Sequence, residues 1–367
     1  MRICMLTSGH DVYDNRIYYK EILSLKKKYD DIYIVAPGDK DFITEEGIKV
    51  KCFEKRKSWH DRFRPMKDMF RIAKEIQADV YHAHEPDSFQ VAVKLKNALG
   101  CKAIYDSHEY HPEGFSEHFK VCKKFVEKAI YLYEKKLGKQ ADYIITVNQI
   151  LVDKFKEYND NVALIPNYPV LKHEDVNKVE EDKAVFVYVG GLREDRGILK
   201  ILEAVEFVKY DCKYLFIGPF ENNEFKSKVD NFIEDRLHGK DVIFTGKIPH
   251  VEVFDYLKKA SAGFVLLQPQ NWRYVNSEPI KMFEYMMSKT AVIASDFPMM
   301  RNVVKKYNCG LVVDPSDPQK IADTIEKIVE DKEQNNKMGK NGLDKVKELY
   351  NWSVCEQRLL RAYEKLQ

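Results

Sequence analysis

The segment EPIKMFEYMMSKTAVIASDFP at 278–298 carries residue types that could do chemistry in a single turn of chain. Pro279 and Ile280 open a helical pattern, and proline suits that position because its missing N–H would have no partner there. A helix start offers free backbone donors and the positive end of a dipole, which suit a diphosphate. Lys281 adds charge beside it, and Glu284, about one turn in, can accept two hydrogen bonds from ribose hydroxyls. The bland alternative is a capped core helix with a surface Lys–Glu pair. A second turn, VGGLREDRGILK at 189–200, passes from strand through Gly190 and Gly191 to Arg196 and a helix. Its glycines keep the backbone small where a ligand must come close. The Arg196 guanidinium offers phosphate a planar fork of donors. The spacing is not G-x-G-x-x-G, so a dinucleotide fingerprint is not supported. A plain turn with a solvated arginine is the alternative.

These turns need rigid elements behind them. Short apolar runs rich in Val, Ile, Tyr and Phe alternate with longer helical patterns along the whole chain. Strands are expected at 2–7, 32–36, 80–84, 102–106, 143–147 and 162–165, then at 184–189, 213–217, 241–245, 263–267, 291–295 and 310–313. Helices are expected between most of them, one at 16–28, where Asp14 and Arg16 read as an N-cap and first-turn pair. Near-continuous apolar strands separated by helices imply parallel sheets covered on both faces. The fold class is therefore α/β, with two Rossmann-like doubly wound domains facing across a cleft. The domains are expected at 1–170 and 184–350, joined by a polar linker at 171–183. A helix at 351–367, opened by the capping box Ser353 to Glu356, is expected to cross back to the first domain. Ligands of such sheets bind beyond the carboxyl ends of the strands.

Bulk properties narrow the function. The chain has 367 residues, enough for two domains, and a net charge of +2 that argues against a dedicated nucleic-acid binder. Seven scattered cysteines with no C-x-x-C pair argue against a disulfide framework or a zinc site and fit a reducing cytosol. The opening MRICMLTS is too short an apolar run for a signal sequence, and no stretch approaches the roughly 20 apolar residues of a membrane span. A cytoplasmic location is expected, with any membrane contact peripheral. Two basic, aromatic-bearing segments, 55–67 (KRKSWHDRFRPMK) and 119–136 (FKVCKKFVEKAIYLYEKK), suit an anionic membrane surface or a lipid-diphosphate acceptor. They read equally well as a charged loop and a solvated helix face.

The pair GGL…RG and EP-x-K-x-x-EYM…VIASDFP resembles the donor-binding half of family 4 retaining glycosyltransferases of GT-B architecture. TSGHDVYDNRI (7–17), HAHEPD (82–87) and YDSHEYHPE (105–113) resemble a bacterial surface-glycan branch of that family. The resemblance implies sugar transfer from a nucleotide-diphosphate sugar, most often a UDP-sugar, to a lipid-linked or surface-polysaccharide acceptor. It implies no cofactor and no metal, and no Asp-x-Asp triad is present. By the same likeness Gly9 approaches the donor phosphates, His108 lies near the sugar's outer hydroxyls, and the base sits near the turn Thr245–Ile248, so Ile248 joins the donor set. His10, His84 and Glu109 are the acceptor-side candidates. The family's usual Glu, seven residues, Glu pattern places its second carboxylate at Glu284 but meets Asn276 at the first, with Glu278 two residues on as substitute or helix cap. Gly191, Arg196, Lys289 and Ala291 also depart from the usual residues. A metal site among His82, His84, His108 and His111 is a minor alternative. Two rival functions are a UDP-sugar 2-epimerase of similar architecture and a degenerate nucleotide-binding partner subunit.

Overall fold

The computed structural model describes residues 1–58, 61–116, 119, 121–171, 177–270 and 272–367. They form two compact units, Met1–Asn167 with Trp352–Gln367, and Tyr168–Asn351. Each is a mixed α/β, Rossmann-like domain.

The first unit is built on an eight-stranded sheet. Its strands are β1 (Ile3–Leu6), β2 (Ile32–Pro37), β3 (Phe42–Ile43), β4 (Lys49–Phe53), β5 (Val80–Ala83), β6 (Lys102–Ser107), β7 (Tyr143–Thr146) and β8 (Val162–Leu164). Their order is β3-β4-β2-β1-β5-β6-β7-β8, and only the β3–β4 pair is antiparallel. The order reverses at β1, between β2 and β5, so the loops leaving β1 and β5 sit where such a sheet presents ligands. β3 and β4 are not among the expected strands, and the helix Phe63–Ile76 departs from the reading of 55–67 as a charged loop. The alternation KVKCF conceals β4 because its lysines face outward from a near-edge strand. Pro65 is tolerated in the first turn of the helix, where no intrahelical N–H is required.

The expected first helix is present but begins as a π-helical turn, Ile17–Ile22, that runs into the α-helix Leu23–Lys26. Glu21 N–H bonds to Arg16 O at 2.9 Å, an i→i+5 closure. In an α-helix residues five apart point roughly 140° away from each other; the wider turn brings Arg16 and Glu21 to one side. Asp14 accepts from the N–H groups of Arg16 and Ile17, so its capping role stands. The Arg16 side chain does not pair with it at the surface but turns inward.

The helix Trp352–Glu364 packs on this unit. Trp352 Nε1 donates to Ser24 Oγ, Lys27 pairs with Glu356, and Tyr363 Oη meets His82 Nδ1 at 2.9 Å. Glu356 thus serves a tertiary ion pair.

The second unit has strands β9 (Ala184–Val189), β10 (Cys212–Ile217), β11 (Asp241–Gly246), β12 (Ala262–Val265), β13 (Ala291–Ser295) and β14 (Gly310–Val313). All are parallel, in the order β11-β10-β9-β12-β13-β14, with the reversal at β9. Alternate residues feed the two faces. Phe186, Phe216, Phe264 and Ile293 pack with Ile198, Leu202 and Ile325, while Val187, Val265 and Val292 pack with Met282, Tyr285 and Met286. The linker expected at 171–183 falls in part on residues 172–176, outside the described residues. Past them, Val179 N–H bonds Lys258 O, and Lys178 Nζ caps the carbonyls of Leu257 and Ala260, which lays this segment on the second unit.

Candidate active site

The turn after β9 leaves the sheet at its reversal point. Gly190 has φ 126°, a left-handed geometry that favours glycine, and a Cβ there would lie 3.1 Å from Lys281 Nζ and 3.6 Å from the Arg196 guanidinium. Three expected residues from two distant stretches therefore converge. Arg196 ends a short 3₁₀ turn, Glu194–Arg196, and Lys281 sits in the first turn of the helix Ile280–Met287, with Pro279 as its N-cap. Lys281 is 6% exposed, stands 3.8 Å over the Tyr188 ring, and its Nζ has no hydrogen-bond partner among the described residues. Arg196 Nε likewise has none. Burial, then the neighbouring Arg196, holds the Lys281 ammonium well below the ordinary lysine range, and Glu284 only partly opposes this. Two basic groups side by side, with Glu284 as the one nearby carboxylate acting on Lys281, leave room for a further negative group to join them.

Glu284, also nearly buried, accepts from the half-exposed His250 Nε2 at 2.8 Å. Sequence reasoning missed His250; its signal was its position two residues past Ile248 at the start of the helix His250–Leu257. Ile248 is half-buried and packs against the core beneath that helix start. Gly191 O accepts from Tyr188 Oη, which fixes the turn. Asn276 spends its side-chain amide on Trp272 O at 2.9 Å, ending the short helix Trp272–Val275. Glu278 is half-buried, and burial pushes its carboxyl up to about 7.

In the first unit Thr7, Ser8, Gly9 and His10 follow β1 and gather on Glu85. Thr7 Oγ1 donates to Glu85 Oε1 at 2.7 Å, and Ser8 N–H to Oε2 at 3.0 Å. A Cβ on exposed Gly9 would sit 3.6 Å from the same carboxylate. His10 Nδ1 pairs with Asp14, whose hydrogen bond raises the imidazole above its usual range. Glu109 is exposed. His84 differs from the expectation: at 1% exposed it cannot touch an acceptor directly. It belongs to a buried polar cluster with Arg16, Glu21, His82, Asp106 and the partly exposed His108. Arg16 pairs with Glu21 Oε1 at 2.8 Å and Asp106 Oδ2 at 2.9 Å and donates to Ile165 O. Burial works against the Asp106 charge, but Arg16 and His108 hold its carboxyl well below the usual range, while burial and Asp106 push Glu21 up. The rings of His10, His108, His84 and His82 stand in a row, at 6.2, 5.7 and 4.6 Å between successive centroids.

Residues 171–345 match the family described as Glycosyl transferases group 1, and residues 18–168 match Glycosyltransferase Family 4. An uncharacterised glycosyltransferase of Methanocaldococcus jannaschii is 24% identical over 70% of this chain and 68% of its own length. The capsular polysaccharide biosynthesis glycosyltransferase CapM of Staphylococcus aureus is 24% identical over 94% of this chain and 92% of its own. Among solved structures, a sucrose-phosphate synthase of Thermosynechococcus elongatus superposes with TM-score 0.79 at 17% identity, covering 100% and 98% of the two chains. HepE of Anabaena in complex with UDP-glucose gives 0.75 at 13% identity, covering both chains fully.

Proposed function

The chain belongs to the nucleotide-sugar-dependent glycosyltransferases of GT-B fold and is related to those of bacterial surface glycans, and from that premise we propose that it transfers a sugar with retention from a UDP-sugar to a lipid-linked or surface-polysaccharide acceptor. The carrying observation is the convergence on Gly190 of the half-buried Arg196 guanidinium and the buried Lys281 Nζ, which has no hydrogen-bond partner among the described residues. Departure of a nucleotide diphosphate develops negative charge on its β-phosphate, and preorganised cations in a water-poor site stabilise that charge without reorganising. In this reading the pair and the start of the helix Ile280–Met287 neutralise the leaving group with no metal at the diphosphate. Glu284 holds the ribose after exchanging His250 for its hydroxyls, and Ile248 lies by the base. His108 positions the sugar, with Gly9 near the phosphates, and the leaving phosphate takes the acceptor's proton. A screen of UDP- and GDP-sugars by saturation-transfer NMR tests the donor assignment; UDP-sugars are expected to give signal that Arg196→Ala abolishes. Signal that persists in that variant, or comes only from GDP-sugars, rejects it.

Glu278 adds a pH dependence. With its carboxyl near 7, acidification keeps it neutral, and raising the pH through about 7 places a negative charge beside the diphosphate site. UDP affinity is expected to fall several-fold between pH 6 and 8.5, roughly 1 kcal/mol of added repulsion. Glu278→Gln should flatten the part of the titration centred near 7. The same raised carboxyl favours the folded state below that value and loses its contribution as pH rises through it. Identical calorimetric profiles for the two proteins would remove Glu278 from the site.

The acceptor side rests on surface chemistry. Within the described part of 119–136, the helix Lys123–Gly138 exposes Phe125 and Leu132 among Lys124, Lys128 and Lys136 on one face, with Val121 and Phe63 also exposed. An apolar cavity lined by Met66, Phe89, Phe115, Ile130, Tyr133 and Leu137 opens beside it. Such a surface suits a peripheral stance at the inner face of an anionic membrane, and among the described residues no helix is long and apolar enough to cross one. Residues 59, 60 and 120 of the two basic segments lie outside the described residues. Reversing Lys123 and Lys124 to Glu should lower binding to phosphatidylglycerol vesicles by roughly 30-fold or more, about 1 kcal/mol for each lysine lost. Low and equal co-sedimentation for both proteins would end the membrane reading.

A further inference from the structure

We propose that Glu21, His84, Asp106 and His108 form a closed site for one divalent transition-metal ion of the zinc class. One atom from each lies within 4.8 Å of all the others. Asp106 Oδ1 and His108 Nε2 are 3.2 Å apart, and Glu21 Oε2 and His84 Nε2 are 3.7 Å apart. Ligands about 2.0–2.1 Å from a tetrahedral ion stand roughly 3.3 Å from one another. Separations in the set run up to 4.8 Å, so binding draws the farther ligands inward by as much as roughly 1.5 Å.

These same four atoms lack hydrogen-bond partners in a region where Glu21, His84 and Asp106 are at most 1% exposed. Buried polar atoms are paired in folded proteins, and such atoms gathered within 4.8 Å of one another call for an occupant. Arg16 ion-pairs with Glu21 Oε1 and Asp106 Oδ2, which leaves Glu21 Oε2 and Asp106 Oδ1 for another partner. Glu21 and Asp106 also share the single Arg16 guanidinium, so their remaining oxygens can take a second cation. A cation meets both demands. Two imidazoles with two carboxylates make a borderline ligand set, whereas calcium or magnesium would call for oxygen alone.

The elements hold the ligands rigidly. Glu21 comes from the π-helical turn, His84 from the end of β5, Asp106 from β6 and His108 from just beyond it. His82 stacks on His84 at 4.6 Å and is itself fixed by Tyr363, the outer support that ligating histidines need. Four protein ligands close the coordination sphere, so the ion is structural and leaves the diphosphate chemistry to Arg196 and Lys281. Ligation through Nε2 leaves Nδ1 as the other polar atom of the His108 ring and fixes its tautomer.

The test uses the full chain, stripped with chelator and titrated with Co(II) alone, then with Zn(II) as competitor. The expected result is one equivalent bound, the intense visible absorption of four-coordinate Co(II), its displacement by Zn(II), and X-ray absorption showing mixed nitrogen and oxygen ligands without sulfur. Glu21→Gln and His108→Ala should each weaken binding at least about 100-fold, the upper end of what losing even an outer-shell partner costs. His108 is partly exposed, so its variant keeps the test valid should Glu21→Gln misfold. No uptake of Co(II), Zn(II) or Mn(II), or uptake that survives undiminished in a folded variant, overturns the proposal.

Discussion

Arg196→Ala is expected to lower turnover about 10²- to 10³-fold while the second unit keeps its fold. Loss of one preorganised donor to developing charge costs this much in acyl transfer, and here the donor faces a diphosphate carrying more charge. Lys281→Met should lower turnover comparably yet leave stability unchanged or raised. The wild-type Nζ is buried beside Arg196 with no hydrogen-bond partner among the described residues, and a thioether of similar length relieves that burden against the Tyr188 ring. A residue present only for packing would behave the other way round. Because the two cations act on one leaving group, the double variant should fall well short of the product of the single losses. Burial and Arg196 lower the proton affinity of Lys281, and a diphosphate beside it favours the charged form, so UDP binding should shift its titration upward. Nucleotide release measured with each variant, beside thermal melts, decides the matter. Wild-type rates for Arg196→Ala would defeat the diphosphate assignment.

Most of the architecture was legible because its causes are local. Runs such as Val185–Tyr188 and Val292–Ala294 are apolar on both faces, which only a doubly covered parallel sheet satisfies. The segments that escaped notice carry mixed signals. β4 alternates lysine with apolar residues at the sheet's rim, and Phe63–Ile76 opens amid arginines and a proline. Arg196, Lys281 and Gly190 were nameable because charge beside glycine at a strand end has few other uses. Their mutual approach was not, since residues 190 and 281 meet only through the order of β9, β12 and β13. The His250–Glu284 pair was hidden for the same reason. The buried cluster was misread more deeply: Arg16 and Glu21 share a face only through an i→i+5 turn, a register that ordinary helical periodicity does not suggest. His82 and His84, expected near a strand end with His84 facing an acceptor, are walled in by β5, β6 and the helix Trp352–Glu364, which arrives from the far end of the chain.

That cluster carries the largest expected effect on stability. Arg16→Met in chelator-treated protein should cost the first unit about 3–5 kcal/mol, because it strips two buried carboxylates of their one countercharge. At this size that is a drop of roughly 10 °C in Tm. The chelator matters, since a divalent ion on the opposite oxygens would stand in for the guanidinium and mask the loss. Trp352 reports on this unit: it is 4% exposed, its Nε1 is bonded to Ser24, and its helix packs beside the π-helical turn. The double variant Arg16→Met with Glu21→Gln should be more stable than Arg16→Met alone, though each change by itself removes a native partner. One carboxylate without a cation can take up a proton, whereas two at this spacing repel before either is neutral. A loss under about 1 kcal/mol, or a double variant weaker than the single, would mean that water reaches Glu21 and Asp106 and that their charges are solvated rather than held by Arg16.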